Sequence, residues 1–468
     1  MAEPYVVAVL SFSDGRTRVH DSLVPAITKR RDGIVAAIEA DPMLTPVVHK
    51  EIVHGAKMAR EAALWARRQN AEAVVFNIPV FAFPNFSLIA ARVLEMPVGL
   101  VSPKDGSLPG AGGVLAAAGA MMQIGLPLAK FWGAPEEEPA VAQELRRFCR
   151  ATAAIQRLKG SVYALIGGRS IGMNTGAVSE ETWMSQFGVD VEHIDQLEIV
   201  RRAGLVPDAE VNKGYHWLKE HLGHMAKVGK AAEEHVKTQI RHYIATKQIL
   251  SDFGADLTGI KCHYDLSEYY VTQCLSAMLL NDPYDWEGPK EPIMMGCEAD
   301  GDGALTMHIL KLLTGYPSLL FDVRSYDSKE GLFVFCNCGS QPSWYAARSD
   351  NPKDNLSKVH LEPVIEKYAG NGGHFSYVCR ECEFTLARLS RRDGFYRMVV
   401  TTGEFLEYPR EKMKETAPVW PHGFAKLSVD PDELFQRYDT NHAHVVPDDH
   451  RREVELFCEY AGIDYEEL

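Results

Sequence analysis

Along roughly the first hundred residues, short apolar runs alternate with stretches whose apolar positions recur at helical spacing. Residues 6–12, 47–53, 73–76 and 97–101 read as strands. Residues 55–68 (GAKMAREAALWARR) and 85–94, opening on the cap-competent Asn85, read as the helices between them. That alternation is the signature of an α/β domain. An acidic, proline-containing stretch at 133–139 punctuates it, and a helix over about 140–159 follows, which places a boundary near residue 158. A second α/β unit opens on the apolar run 162–166, which ends in Gly167, Gly168, Arg169 and Gly172. It continues through a long helix at 231–253, a strand at 258–262 and an apolar run at 292–297. From about residue 316 the pattern becomes many short strands, among them 332–336, 375–378, 384–389 and 396–405, before an amphipathic helix at 449–461. The expectation is two Rossmann-like α/β domains, 1–158 and 159–315, followed by a β-rich, barrel-like domain over 316–468.

Composition narrows the functional classes. A chain of 468 residues is too long for one ordinary core, and 46% apolar with 24% charged residues is globular in character. A net charge of −14 argues against a binder of nucleic-acid phosphates. The uncharged stretch 107–129 is rich in Gly and Ala, contains Pro and is only weakly apolar, so it reads as a buried, closely packed helix and not a membrane span. The opening MAEPYVVAVLSF lacks a basic region and a small-residue cleavage site, which points to a cytoplasmic protein. Nine scattered cysteines read as reduced thiols. Cys336, Cys338, Cys379 and Cys382 would make a structural zinc site only if strands bring the two pairs together; small buried residues are the default.

Candidate chemistry gathers in the middle and near the end of the chain. Glu298 follows the apolar run 293–297 and Asp322 follows 319–321, so both carboxylates are expected at strand ends, where open α/β sheets form their sites. Acids in such places also merely cap helices. The cluster Glu298, Asp300, Asp302 lacks the Gly and terminal Glu of a calcium-binding EF-hand loop. Asn441-His442-Ala443-His444, with His450 soon after, concentrates imidazoles. An imidazole with two carboxylates suits manganese, magnesium or cobalt better than a closed thiolate zinc site. The glycine-rich turn 167–172 fits neither the dinucleotide nor the P-loop spacing, and no acidic ribose partner supports a nucleotide-dependent oxidoreductase.

The segment 285–327, DWEGPKEPIMMGCEADGDGALTMHILKLLTGYPSLLFDVRSYD, resembles the central active-site block of L-fucose isomerases, with its WxG, REP-like, glutamate and DVRxY elements. Weaker similarity runs from Phe12-Ser13-Asp14-Gly15-Arg16 to the final helix. The resemblance implies a metal-dependent aldose–ketose isomerase working through an enediolate. Glu298 and Asp322 would bind the metal, Mn2+ in expectation, and act as acid–base groups, and His442, with His444 its near neighbour, would complete the metal set. It further implies substrate contacts at Tyr368, Trp420, Asn441 and Arg16, with Arg18 close enough to leave that register open. The partners implied are a small-molecule sugar and further copies of the chain, as a trimer or hexamer with sites near subunit interfaces. One departure bears on substrate: in Gly259-Ile260-Lys261-Cys262-His263, Lys261 and His263 replace family glutamines. Either this is drift, or the sugar carries an anionic group such as the sulfonate of sulfoquinovose. A non-catalytic sugar-binding protein on the same fold is the alternative of another class, and the intact triad favours the enzyme.

Overall fold

The computed structural model describes residues 3–104, 106–338 and 341–468. The chain forms two compact units, one of Ala2–Arg157 joined by Arg452–Gly462, the other of Leu158–Arg451 with Ile463–Leu468.

The first unit is built on a parallel five-stranded sheet of β1 (Tyr5–Ser11), β2 (Leu44–Val48), β3 (Ala73–Asn77), β4 (Val98–Ser102) and β5 (Leu128–Trp132), in the order β2-β1-β3-β4-β5. Every residue of β3 and β4 is buried, as expected of parallel strands covered on both faces. The strand expected over 47–53 lies instead at Leu44–Val48, and Val53 makes only an isolated bridge to Phe12. Pro46 sits within this edge strand, where a missing N–H is tolerated, so the proline does not mark its limit. The stretch 107–129 is likewise not one buried helix. The helix Gly110–Met122 ends before Gly125 and Pro127, β5 follows, and Leu115 and Met122 are exposed. Its buried face lies directly on backbone: a Cβ at Gly110 would stand 2.6 Å from the Pro79 carbonyl oxygen. The closing helix Arg451–Ala461 belongs mostly to this unit, where Glu453 meets Arg147 and Arg150.

The second unit holds two main sheets. A parallel sheet runs in the order Met294–Cys297, Leu257–Ile260, Val162–Ile166, Asp190–Ile194. A larger one runs Cys382–Arg392, His442–Pro447, Leu319–Asp327, Leu332–Cys336, His422–Leu427, Phe395–Phe405, Asp464–Glu467. Because Cys382–Arg392 also pairs along its length with Phe395–Phe405, this sheet closes on itself. The strand expected at 375–378 is Gly373–Ser376, which pairs with His360–Pro363 in a separate small sheet. Between Met294–Cys297 and Leu319–Asp327 runs the helix Gly301–Thr314, buried at every residue and packed on strands of both main sheets. A helix apolar nearly all round is suited to that position. Among the described residues no helix is long and apolar enough to cross a membrane.

This arrangement corrects the expected placement of the carboxylates. Glu298 does follow its strand, but Asp322 lies inside Leu319–Asp327, antiparallel to both neighbours. The two acids come from different sheets, not from adjacent ends of one. Pairing with His442–Pro447 ends at Asp322, and the antiparallel ladder with Leu332–Cys336 carries the strand past the polar residue at which the apolar run stops.

Candidate active site

Glu298 and Ala299 both adopt left-handed backbone conformations, φ 57° and 55°, which are uncommon outside glycine and cluster at functional sites. These two residues turn the chain sharply from Met294–Cys297 into the buried helix. Asp300 caps that helix, its Oδ1 accepting from the Gly303 amide at 2.8 Å. Gly296 and Gly259 leave room for the turn. A Cβ at Gly296 would collide with the Asp300 carbonyl oxygen, and one at Gly259 would stand 2.9 Å from Ala299 Cα.

Asp322 pairs directly with His442 across the antiparallel ladder, so their side chains share a face. Nε2 of His442 lies 3.7 Å from Asp322 Oδ1 and 3.8 Å from Glu298 Oε2. It is buried and has no hydrogen-bond partner. The other ring nitrogen, Nδ1, is 2.6 Å from Asp300 Oδ2. Asp300 in turn receives both terminal nitrogens of the buried Arg388, at 2.6 and 3.2 Å. Asp322 accepts from Asn441 at 2.7 Å and from Asn337 at 3.1 Å.

Electrostatics follow from this wiring. Burial pushes Asp300 toward the neutral form, but Arg388 and His442 outweigh it and hold the carboxyl well below its usual range. An ionised Asp300 requires Nδ1–H as donor, which leaves the Nε2 lone pair facing Glu298 and Asp322. Burial and the charges of Asp322 and Asp300 raise Glu298, against the opposing pull of His442. Burial also disfavours the charged form of His442, yet the Asp300 bond and the surrounding carboxylates raise its pKa. Carboxylates that draw a proton to that nitrogen would equally draw a metal cation.

The expected residues divide on inspection. His263 reaches the trio, with Nε2 3.7 Å from Glu298 Oε1 and 3.2 Å from the Tyr368 hydroxyl, on whose ring it stacks at 4.8 Å. Burial pushes its imidazole down to about 4, so it stands neutral and not as a cation. Lys261 is held by Asp265 at 2.8 Å. Trp420 joins the same wall through His374, whose ring stands edge-on to Trp420 at 6.0 Å and to Tyr368 at 5.9 Å. Arg16 belongs to the other compact unit, where it is exposed and bound to Asp14 at 2.6 Å. His444, on the same ladder face as His442, is buried with both ring nitrogens unpartnered.

Among the described residues no three His, Cys, Asp or Glu side chains are drawn together as a ready metal-ligand group. Glu298, Asp322 and His442 converge without touching. Of the cysteines, Cys338 turns to Cys297, with sulfurs 3.8 Å apart, and accepts at its carbonyl from Cys274. Sequence reasoning missed Asp300, Arg388, Asn337 and His374 as parts of the site. The available signal was Arg388, a charge on the same strand face as Phe384 and Leu386.

Two family profiles match the chain: L-fucose isomerase, first N-terminal domain, over residues 4–160, and L-fucose isomerase, C-terminal domain, over residues 335–468. Curated relatives include the L-fucose isomerase of Citrobacter koseri, 23% identical over 386 residues, covering 67% of this chain and 65% of that protein. The sulfoquinovose isomerase of a Clostridium species is 27% identical over 322 residues, covering 68% of this chain and 67% of the relative. The L-fucose isomerase of Salmonella arizonae is 27% identical over 385 residues, covering 67% and 65%. The chain thus spans slightly less than two thirds of the L-fucose isomerases it matches.

Proposed function

The chain belongs to the L-fucose isomerase family, and from that premise we propose that it is a metal-dependent aldose–ketose isomerase worked by Glu298, Asp322 and His442. The observation that carries the reading is the buried, unpartnered Nε2 of His442, oriented by Asp300 and facing two carboxylates. An imidazole nitrogen with carboxylate oxygens is a donor set for manganese, magnesium or cobalt. Glu298, Asp322 and His442 are the residues that would hold a divalent cation, which when bound would supply Lewis-acid chemistry to a sugar carbonyl.

The chain's own groups do the rest. Glu298, raised by burial, is suited to take and return a proton between C1 and C2 of an open-chain sugar. Asp322 faces the same space from the other sheet, its orientation set by Asn337 and Asn441. Nε1 of Trp420 and Nε2 of His374, buried without partners, are placed to bond sugar hydroxyls or ring oxygens. The same proposal includes the three-part division at 158 and 315, a homo-oligomer and a cytoplasmic location. A second reading, an anionic sugar as substrate, is supported by similarity to a protein named sulfoquinovose isomerase.

The test is a substrate panel on chelated enzyme with manganese restored, covering L-fucose, arabinose, rhamnose and sulfonated and phosphorylated hexoses. Metal-dependent interconversion of an aldose and its ketose is expected. Sugar binding without turnover of any member would point instead to the non-catalytic binding protein.

A further inference from the structure

A cleft of about 560 Å³ opens in the second unit, and none of Glu298, Asp322, His442, His263, Tyr368 or Trp420 lines it. Its lining includes Lys358, His360, Arg380 and Arg410, with Val378 and Tyr408. Pairing of His360–Pro363 with Gly373–Ser376 sets His360 opposite Ser376, and Arg380 follows just beyond that strand. Arg410 starts the short helix Arg410–Glu415 and reaches back to Ser376, donating to its carbonyl oxygen at 3.1 Å and to its hydroxyl. Arg380 is fixed through Nη1, which donates to the Ala347 carbonyl at 2.8 Å.

The three cations have no counter-charge against them. Among the described residues none of Lys358, Arg380 and Arg410 is within ion-pair distance of a carboxylate. Glu381 and Glu407 share the lining, and Glu362 and Glu411 act on Arg410 only from beyond that distance. Burial outweighs those two acids and lowers the half-buried guanidinium from its ordinary value. Burial, with the charges of Arg410 and His224, pushes His360 down to about 4, so it stands neutral. This is unusual in a chain with 63 acidic and 49 basic residues. Elsewhere surface arginines find carboxylates readily, as Arg201 meets Glu198 at 2.6 Å and Arg451 meets Asp449 and Glu467 at 2.8 and 2.6 Å. A partly desolvated guanidinium without a partner carries a cost that a bound anion offsets.

We propose that this cleft is a binding site, separate from the sugar site, for the phosphate group of a small metabolite, received by Arg410, Lys358 and Arg380. A tetrahedral dianion offers several oxygens and two charges to three cations, whereas a carboxylate offers two oxygens and one charge. Arginine meets phosphate oxygens through paired N–H donors, and lysine adds a point charge. Val378 and Tyr408 give the organic part of an ester an apolar wall, and the cleft is of the size that holds small molecules. The inference does not rest on the isomerase reading.

The test is calorimetric titration of the whole chain with inorganic phosphate, glycerol 3-phosphate and glycerol, none of which is an aldose or a ketose. Both phosphates should bind more tightly than glycerol, with affinity that falls as salt rises. The tighter of the two shows whether the group arrives free or on an ester. Lys358→Gln and Arg380→Gln alter exposed side chains, and each should weaken phosphate binding by about ten-fold, the loss of one charge-assisted hydrogen bond. Arg410→Gln should weaken it at least as much, and Arg410→Lys should restore part. His442→Ala should bind the phosphates as wild type does. Heats for both phosphates no larger than for glycerol would overturn the proposal. So would unchanged affinity in the Lys358 and Arg380 variants, or phosphate binding lost in His442→Ala.

Discussion

His442 donates from Nδ1 to Oδ2 of Asp300 across 2.6 Å, and this bond decides what the far side of the ring can do. Asp300 is locked as an anion by Arg388, so the imidazole has one tautomer available for coordination, with Nε2 open toward Glu298 and Asp322. The order Arg388, Asp300, His442 is a relay of orientation that no member supplies alone.

Asp300→Asn should therefore weaken manganese binding by about 10–100-fold, because the variant loses the charge that fixes the imidazole. It should also cost about 3–5 kcal/mol of stability, since Arg388 is left buried beside a neutral amide. Calorimetric metal titration and urea unfolding measure the two effects. Metal affinity within two-fold of wild type would remove the orienting role.

Metal addition should stabilise the fold. A cation at one hundred times its Kd adds about 2.7 kcal/mol through preferential binding to the native state. The melting temperature should rise with manganese, fall back on chelation, and respond far less in His442→Ala. An equal rise in that variant would place the cation elsewhere.

Gly296→Ala tests whether the left-handed turn at Glu298 and Ala299 depends on close packing. The added methyl meets the Asp300 carbonyl, so about 1–3 kcal/mol of destabilisation is expected. Gly119→Ala is the control: nothing lies within 4 Å of its Cβ, the residue is helical and exposed, and about 0.4–1 kcal/mol of stabilisation is expected. A Gly296→Ala denaturant midpoint at or above that of wild type, with the control behaving as expected, would show that the turn is not constrained by packing.

Stability should fall on mild acidification. Burial holds His242 and His422 down to about 4 from an ordinary 6.5. A depressed folded-state pKa contributes stability that is fully present above 6.5 and is lost as pH falls toward 4, because only the unfolded chain takes up the proton. Each group adds a slope of up to about 1.4 kcal/mol per pH unit in that window. Unfolding of His422→Asn measured from pH 7 to pH 4.5 should show a shallower dependence than wild type; an unchanged slope would mean that His422 is protonated in the native state.

Much of this organisation is legible in the sequence because burial on both faces writes itself as continuous apolar runs. The segments 73–76 and 97–101 mark the central strands β3 and β4, and 332–336 marks its strand to the residue. Strands interrupted by polar residues are harder to see. Leu319–Asp327 continues through Asp322 and Arg324 because ladder pairing holds it, which no apolar run announces. The site shows the same division. Position and resemblance select Glu298, Asp322 and His442, but alternation places His442 and His444 on one face, and only the bond to Asp300 distinguishes them. Asp300 itself reads as one acid among three, since its role depends on Arg388, 88 residues away along the chain. Long-range pairing of buried charges leaves no local pattern.

The central claim is that Glu298 moves a proton between two carbons of a sugar held against His442 and Asp322. Isomerisation run in D2O with manganese, followed by proton NMR of the product, tests it most directly on wild type and Glu298→Gln. The account predicts solvent deuterium at the isomerised carbon in wild type, and loss of both deuterium incorporation and turnover by at least 1,000-fold (about 4 kcal/mol of barrier) in the variant. Near-normal turnover by Glu298→Gln, or wild-type product formed with no solvent deuterium at all, would contradict it.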